Sequence, residues 1–96
     1  MVDFKRMLCS LIFVVLMTTG IEAAEFKRDF ENGVQYYKAD NFSAAISAFS
    51  KIADAGVNNG KLFYNLGNAY LKNNDIGHAV LWYERALKLM PNDPDL

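Results

Sequence analysis

From Phe26 onward the apolar positions recur at steps of three and four, the period at which a helix keeps one side turned to a core. Phe26, Phe30, Val34 and Tyr37 form one such stripe, Phe63, Leu66 and Tyr70 a second, and Val80, Tyr83, Ala86 and Leu87 a third. Between them the chain turns polar at Asp40-Asn41, at Ala55-Gly56-Val57-Asn58-Asn59-Gly60 and at Asn73-Asn74-Asp75. Asn and Asp satisfy local backbone groups in turns, and Gly56 can take the left-handed conformation that closes a helix. Pro91 lacks a backbone N–H and disfavours helix at the residue before it, which predicts a helix end near Leu89 or Met90. The pattern therefore predicts an all-α chain of four antiparallel helices in two helix-turn-helix units.

The two units are copies. A shift of 34 residues lays Gly33 on Gly67, Tyr36 on Tyr70, Ala45 on Ala79 and Phe49 on Tyr83, with Phe42 on Ile76 and Ile46 on Val80. The first copy then runs over 26–59 and the second over 60–93. Gly33, Gly67, Ala45 and Ala79 are small where the helices of a unit must approach closely. Tyr36, Phe49, Phe63, Leu66, Tyr70, Tyr83 and Ala86 are expected to fill the space between helices, and Pro91 to close the second copy. The first copy departs at Asp29 and Asn32, which stand where the second has Phe63 and Leu66. Its stripe Phe26, Phe30, Val34 and Tyr37 is displaced around the helix, as suits a terminal repeat with no predecessor to pack on.

Upstream the pattern changes again. Lys5 and Arg6 precede an apolar run from Leu8 to Met17, and Thr18-Thr19-Gly20-Ile21-Glu22-Ala23-Ala24 follows. Basic start, apolar middle and small-residue end predict a secretory signal peptide over 1–23, cleaved after Ala23. The alternative is an uncleaved membrane anchor, but Met7 to Ile21 supplies 15 uncharged residues. That is about 22 Å of helix against a hydrocarbon core of about 30 Å. Cys9, the single cysteine, would leave with the peptide, so the mature chain needs no disulfide.

Charge narrows the classes of partner. The chain from Ala24 carries eight Lys and Arg against nine Asp and Glu, a net charge of 8 − 9 = −1, which argues against nucleic acid as a partner. Catalysis finds no constellation. His78 is the single histidine and has no Cys or acidic cluster at metal-ligand spacing, and Ser43, Ser47 and Ser50 have no neighbouring base. No cofactor is implied. Asn41-Phe42-Ser43 fits a glycosylation sequon, yet it is also the ordinary polar turn of the repeat. Helix four bears Val80, Leu81, Trp82, Leu87 and Leu89, apolar around more than one stripe. Further sequence, a partner chain or a marginal domain would each account for that, and residues 94–96 are expected to be a truncated tail.

The run Leu62-Phe63-Tyr64-Asn65-Leu66-Gly67-Asn68-Ala69-Tyr70 with Ala79, Tyr83, Ala86 and Pro91 resembles the tetratricopeptide repeat, and the resemblance covers nearly all of the chain beyond the leader. With Leu81-Trp82-Tyr83-Glu84-Arg85-Ala86-Leu87 and Pro91-Asn92-Asp93-Pro94-Asp95-Leu96, the second copy looks like the exported repeat protein of bacterial Bat aerotolerance operons, which is associated with the inner membrane. The resemblance implies the start of a right-handed α-solenoid whose first helices line a concave groove for a protein or peptide ligand. Groove positions would be Lys27, Phe30, Val34, Tyr37 and Lys38 from copy one, and Lys61, Tyr64, Asn68, Leu71 and Lys72 from copy two. Phe30 and Tyr64 could equally complete internal packing. The lining would suit an apolar peptide with an acidic flank or a free carboxylate. A clamp for a peptide carboxylate is not expected, because Phe30 and Val34 stand where its basic residue and Asn would be, although Asn65 matches a third position. The resemblance thus implies a non-catalytic adaptor of the cell envelope, periplasmic or on the periplasmic face of the inner membrane. The alternative is a self-association module using the exposed face of helix four.

Overall fold

The computed structural model describes residues 22–91. Residues 1–21, with Cys9 and all but the last two positions of the expected signal peptide, and residues 92–96, with the expected tail 94–96, lie outside the described residues. Four helices and no strands are present among them. The described part of α1 covers 22–38, and α2 (Phe42–Asp54), α3 (Gly60–Lys72) and α4 (Ile76–Leu89) follow. The fold is all-α, two tandem helix-turn-helix repeats.

Local chemistry sets each boundary. Asn41, Asn59 and Asp75 cap the starts of α2, α3 and α4, each side chain accepting a hydrogen bond from a backbone N–H three residues on. Such caps satisfy donors that have no partner within the helix. The ends of α1 and α3 are built alike: Asp40 and Asn74 sit at φ 60° and 62°, and Asn41 and Asp75 donate back to the carbonyls of Tyr36 and Tyr70, both at 2.9 Å. Asn and Asp tolerate this left-handed conformation better than other side chains. Gly56, at φ 93°, ends α2 in the same way.

The core cluster runs through both repeats, with Ala45, Phe49, Ile52, Leu62, Phe63, Leu66, Ala69 and Ala86 buried and Phe26, Phe30, Val34 and Tyr37 half-buried against it. The displaced stripe of α1 therefore does pack. Its side chains meet α2 and α3 from an angle that leaves Asn32 exposed, while Asp29 keeps a surface partner in Lys51 at 3.8 Å.

The repeat is physical as well as textual. A Cβ on Gly33 would stand 2.5 Å from the Phe49 ring, and one on Gly67 would stand 2.5 Å from the Tyr83 ring. Phe30 meets Phe49 at 5.6 Å between centroids, and Tyr64 meets Tyr83 at 5.8 Å. In each unit the ring of an aromatic residue of the second helix thus occupies the place of a side chain on a glycine of the first and meets an aromatic three residues before that glycine. The alanines Ala45 and Ala79 are buried too.

Three packing expectations are corrected. Tyr36 is 42 % exposed. Its counterpart Tyr70 stacks on His78 at 5.0 Å, but position 44, which corresponds to 78, holds alanine and offers Tyr36 no ring. Val80 and Leu87, expected on a buried stripe with Tyr83 and Ala86, are 49 % and 44 % exposed. Their counterparts Ile46 and Ala53 are half-buried because the second hairpin packs beside the first. Tyr70 and Tyr83 are half-buried, and Pro91 is an exposed residue just past the end of α4.

Candidate peptide-binding groove

The first helices of the two repeats, α1 and α3, run side by side in the same direction, since matching depths along them pair Lys27 with Lys61 and Tyr37 with Asn68. Three adjoining hollows lie along their seam. The middle one, about 470 Å³, is lined by Phe30, Glu31, Val34, Gln35, Lys61 and Asn65. It shares Val34 and Asn65 with a hollow of about 220 Å³ that reaches Tyr37, Lys38, Phe49 and Asn68. It shares Phe30 and Lys61 with a third of about 300 Å³ that reaches Phe26, Lys27 and Ile52. Together they form one groove, aromatic and aliphatic on its floor and polar on its edges.

Seven of the ten sequence-predicted lining residues are brought together here: Lys27, Phe30, Val34, Tyr37, Lys38, Lys61 and Asn68. Tyr64, Leu71 and Lys72 lie outside the hollows. Tyr64 turns to Tyr83 on α4, and Leu71 and Lys72 are exposed at the last turn of α3. The physical reason is that a seam between two neighbours is lined by their facing sides. Helix α3 contributes Lys61, Asn65 and Asn68, whose counterparts Lys27, Glu31 and Val34 also line the groove, and α1 adds Phe30, Gln35, Tyr37 and Lys38, whose counterparts Tyr64, Ala69, Leu71 and Lys72 do not. Asn65, Glu31 and Gln35 are lining residues absent from the sequence expectation, as are Phe26, Phe49, Ile52, Val57, Asn59 and Leu62. The helical steps from Lys61 to Asn65 to Asn68 on α3, and from Lys27 to Glu31 to Gln35 to Lys38 on α1, are the signal that finds the first three.

The groove offers hydrogen-bond donors and positive charge. The hydroxyl of Tyr83 donates to Oδ1 of Asn68, which fixes that carboxamide and leaves its NH2 to donate elsewhere. Burial, with smaller contributions from Tyr64 and Tyr37, pushes the Tyr83 hydroxyl above its ordinary pKa, so it remains a donor. Lys27, Lys38 and Lys61 are exposed at the edges, and among the described residues they form no ion pair. Glu31 is the one carboxylate of the lining. The complement of such a surface is a segment rich in carbonyl or carboxylate acceptors with apolar side chains to fill the floor.

His78 lies away from the groove. It sits in the first turn of α4, where its Nδ1 is 2.8 Å from Oδ2 of Asp75 and its ring covers Tyr70. Among the described residues no three His, Cys, Asp or Glu side chains are grouped to hold a metal ion.

Comparison with known families matches residues 60–93 to the tetratricopeptide repeat. No curated protein shows significant similarity to the chain. A tetratricopeptide repeat is thus present over α3 and α4, and the preceding hairpin reproduces its glycine, aromatic and capping geometry.

Proposed function

We propose that this chain is a non-catalytic adaptor that holds a segment of another protein in the groove between α1 and α3. Tetratricopeptide repeats are protein-binding scaffolds, and the observation that carries the proposal is the continuous groove, preformed, aromatic-floored and edged by three lysines without ion pairs among the described residues. The ligand it suits is an extended or helical peptide with apolar side chains and an acidic flank. The site of action we propose is the periplasmic face of a bacterial inner membrane, within a stress or aerotolerance complex. The basic, apolar and small-residue succession over 1–23 supports export, and the likeness of 60–96 to the exported repeat protein of Bat operons supports the complex. Photo-crosslinking tests the groove. A benzophenone side chain at position 65 should give discrete adducts with an envelope polypeptide, and one at position 81, on the outer face of α4, should not. Equal labelling from both positions would remove the groove as the binding site.

One observation favours a second function, self-association. Leu71, Ile76, Val80 and Leu87 are all exposed, Ile76 to 65 %, and their counterparts Tyr37, Phe42, Ile46 and Ala53 are half-buried. The matching face of α1 cannot supply the cover in a head-to-tail array, because Arg28, Asn32 and Gln35 stand where α3 presents Leu62, Leu66 and Ala69. Two copies would have to meet α4 to α4. Sedimentation equilibrium decides it: dimers lost on Val80→Glu support that pairing, and a monomer at high micromolar concentration ends it.

A further inference from the structure

We propose that the chain has a second docking site, on the side of α3 away from the groove, and that it takes an acidic peptide segment carrying one large apolar side chain. A cleft of about 340 Å³ lies there between the end of α2 and the last turns of α4, with Ala53, Phe63, Trp82 and Leu89 as its apolar lining and Arg85 and Lys88 as its cations. Phe63 stands two residues from both Lys61 and Asn65, which on a helix puts it on the opposite side from the groove. Phe63 and Trp82 meet at 5.1 Å between centroids, and the Arg85 guanidinium is held 4.6 Å from the centre of the Trp82 ring.

Comparison of the two repeats shows what is particular about this corner. The positions 34 residues earlier hold Asp29, Ala48 and Lys51. There the cation is answered within the chain, the Lys51 ammonium lying 3.8 Å from the Asp29 carboxylate. In the second repeat Phe63 replaces that carboxylate and Trp82 replaces the alanine. Among the described residues neither Arg85 nor Lys88 forms an ion pair, and no carboxylate lines the cleft. Stacking over Trp82 keeps the Arg85 fork in place at low entropic cost. Two cations beside half-buried Trp82, which itself rests on buried Phe63, therefore call for a ligand that is negative around an apolar centre. A Phe or Leu side chain of the ligand would cover Trp82 beside the rim of Phe63, and flanking carboxylates would reach Arg85 and Lys88. The site stands independently of the groove.

Trp82 is the single tryptophan, so its emission reports the cleft directly. The whole chain is titrated with the capped peptide Asp-Glu-Asp-Phe-Asp-Glu-Asp and with its charge inverse Lys-Arg-Lys-Phe-Lys-Arg-Lys. The expected result is a saturable change in Trp82 emission with the acidic peptide alone, weakened as salt screens the charges. Arg85→Glu and Lys88→Glu should each raise Kd about fivefold or more, since each turns an exposed attraction into a repulsion, and Lys88→Gln should raise it less. Lys38→Glu combined with Lys61→Glu, in the groove, should leave the titration unchanged. No emission change, an equal response to the basic peptide, or a response lost with the groove pair and kept in Arg85→Glu would each overturn the proposal.

Discussion

Gly67 is held free of a side chain by a single ring. The Tyr83 ring occupies the place of its Cβ, as the Phe49 ring occupies that of Gly33. Gly67→Ala should therefore cost about 1–3 kcal/mol, the usual penalty for forcing atoms into a packed site. Gly77 is the control, because a Cβ there meets nothing within 4 Å. Gly77→Ala should hold or raise stability by up to about 1 kcal/mol, through the lower conformational freedom of the unfolded chain. Urea midpoints of the two variants check this, and equal losses would remove the ring-over-glycine explanation. Both glycine positions were legible in the sequence as places of close approach. What the sequence did not show was the partner: the ring 16 residues on, in the second helix of the unit, and not the alanine, fills the space over each glycine. Tyr36 was misplaced for a related reason. Copying a position from one repeat to the next carries over the residue but not its neighbour, and alanine at 44 cannot replace the His78 ring.

At the scale of elements, the helix ends were the most legible part. Asn41, Asn59 and Asp75 cap, Asp40, Asn74 and Gly56 turn, and α4 stops at Leu89 before Pro91. These signals are local, so no tertiary context competes with them. Asp75 adds a pH dependence. Its carboxyl is held below the ordinary 3.8, chiefly by the hydrogen bond from the His78 backbone N–H, with the His78 ring adding to the effect and burial opposing it. A depressed carboxylate pKa contributes stability that is present above the unfolded value and lost as pH falls through the folded one. Asp75→Asn keeps a capping oxygen but no charge, so it should be less stable than the natural chain near neutrality. The gap should narrow as pH drops below the ordinary carboxylate value. Thermal melts across that acid range measure it, and a gap independent of pH would show that the charge contributes nothing.

At the scale of the molecule, two like hairpins placed side by side generate surfaces that neither contains alone. The groove is one of them. Its α1 half was legible, because Phe30, Val34 and Tyr37 form a stripe whatever covers them. Its α3 half was legible at Lys61 and Asn68 but not at Tyr64, Leu71 and Lys72, since how far the lining extends around α3 depends on the angle between repeats, a quantity that no residue pattern states. Asn65 enters the lining and Tyr64 turns to Tyr83 for that reason. The exposed stripe of α4 and the Trp82 cleft arise likewise, where the second repeat has no third beside it among the described residues and where Phe63 breaks the ion-pair pattern of the first. The most direct test of the adaptor function uses the polypeptide captured at position 65. Its affinity is measured by titration calorimetry against the natural chain, against Lys61→Glu with Asn65→Lys, and against Gly77→Ala. A loss of about tenfold or more in the groove variant, equivalent to about 1.4 kcal/mol, with Gly77→Ala unchanged, is the expected result. Equal affinity for all three would contradict binding in the groove between α1 and α3.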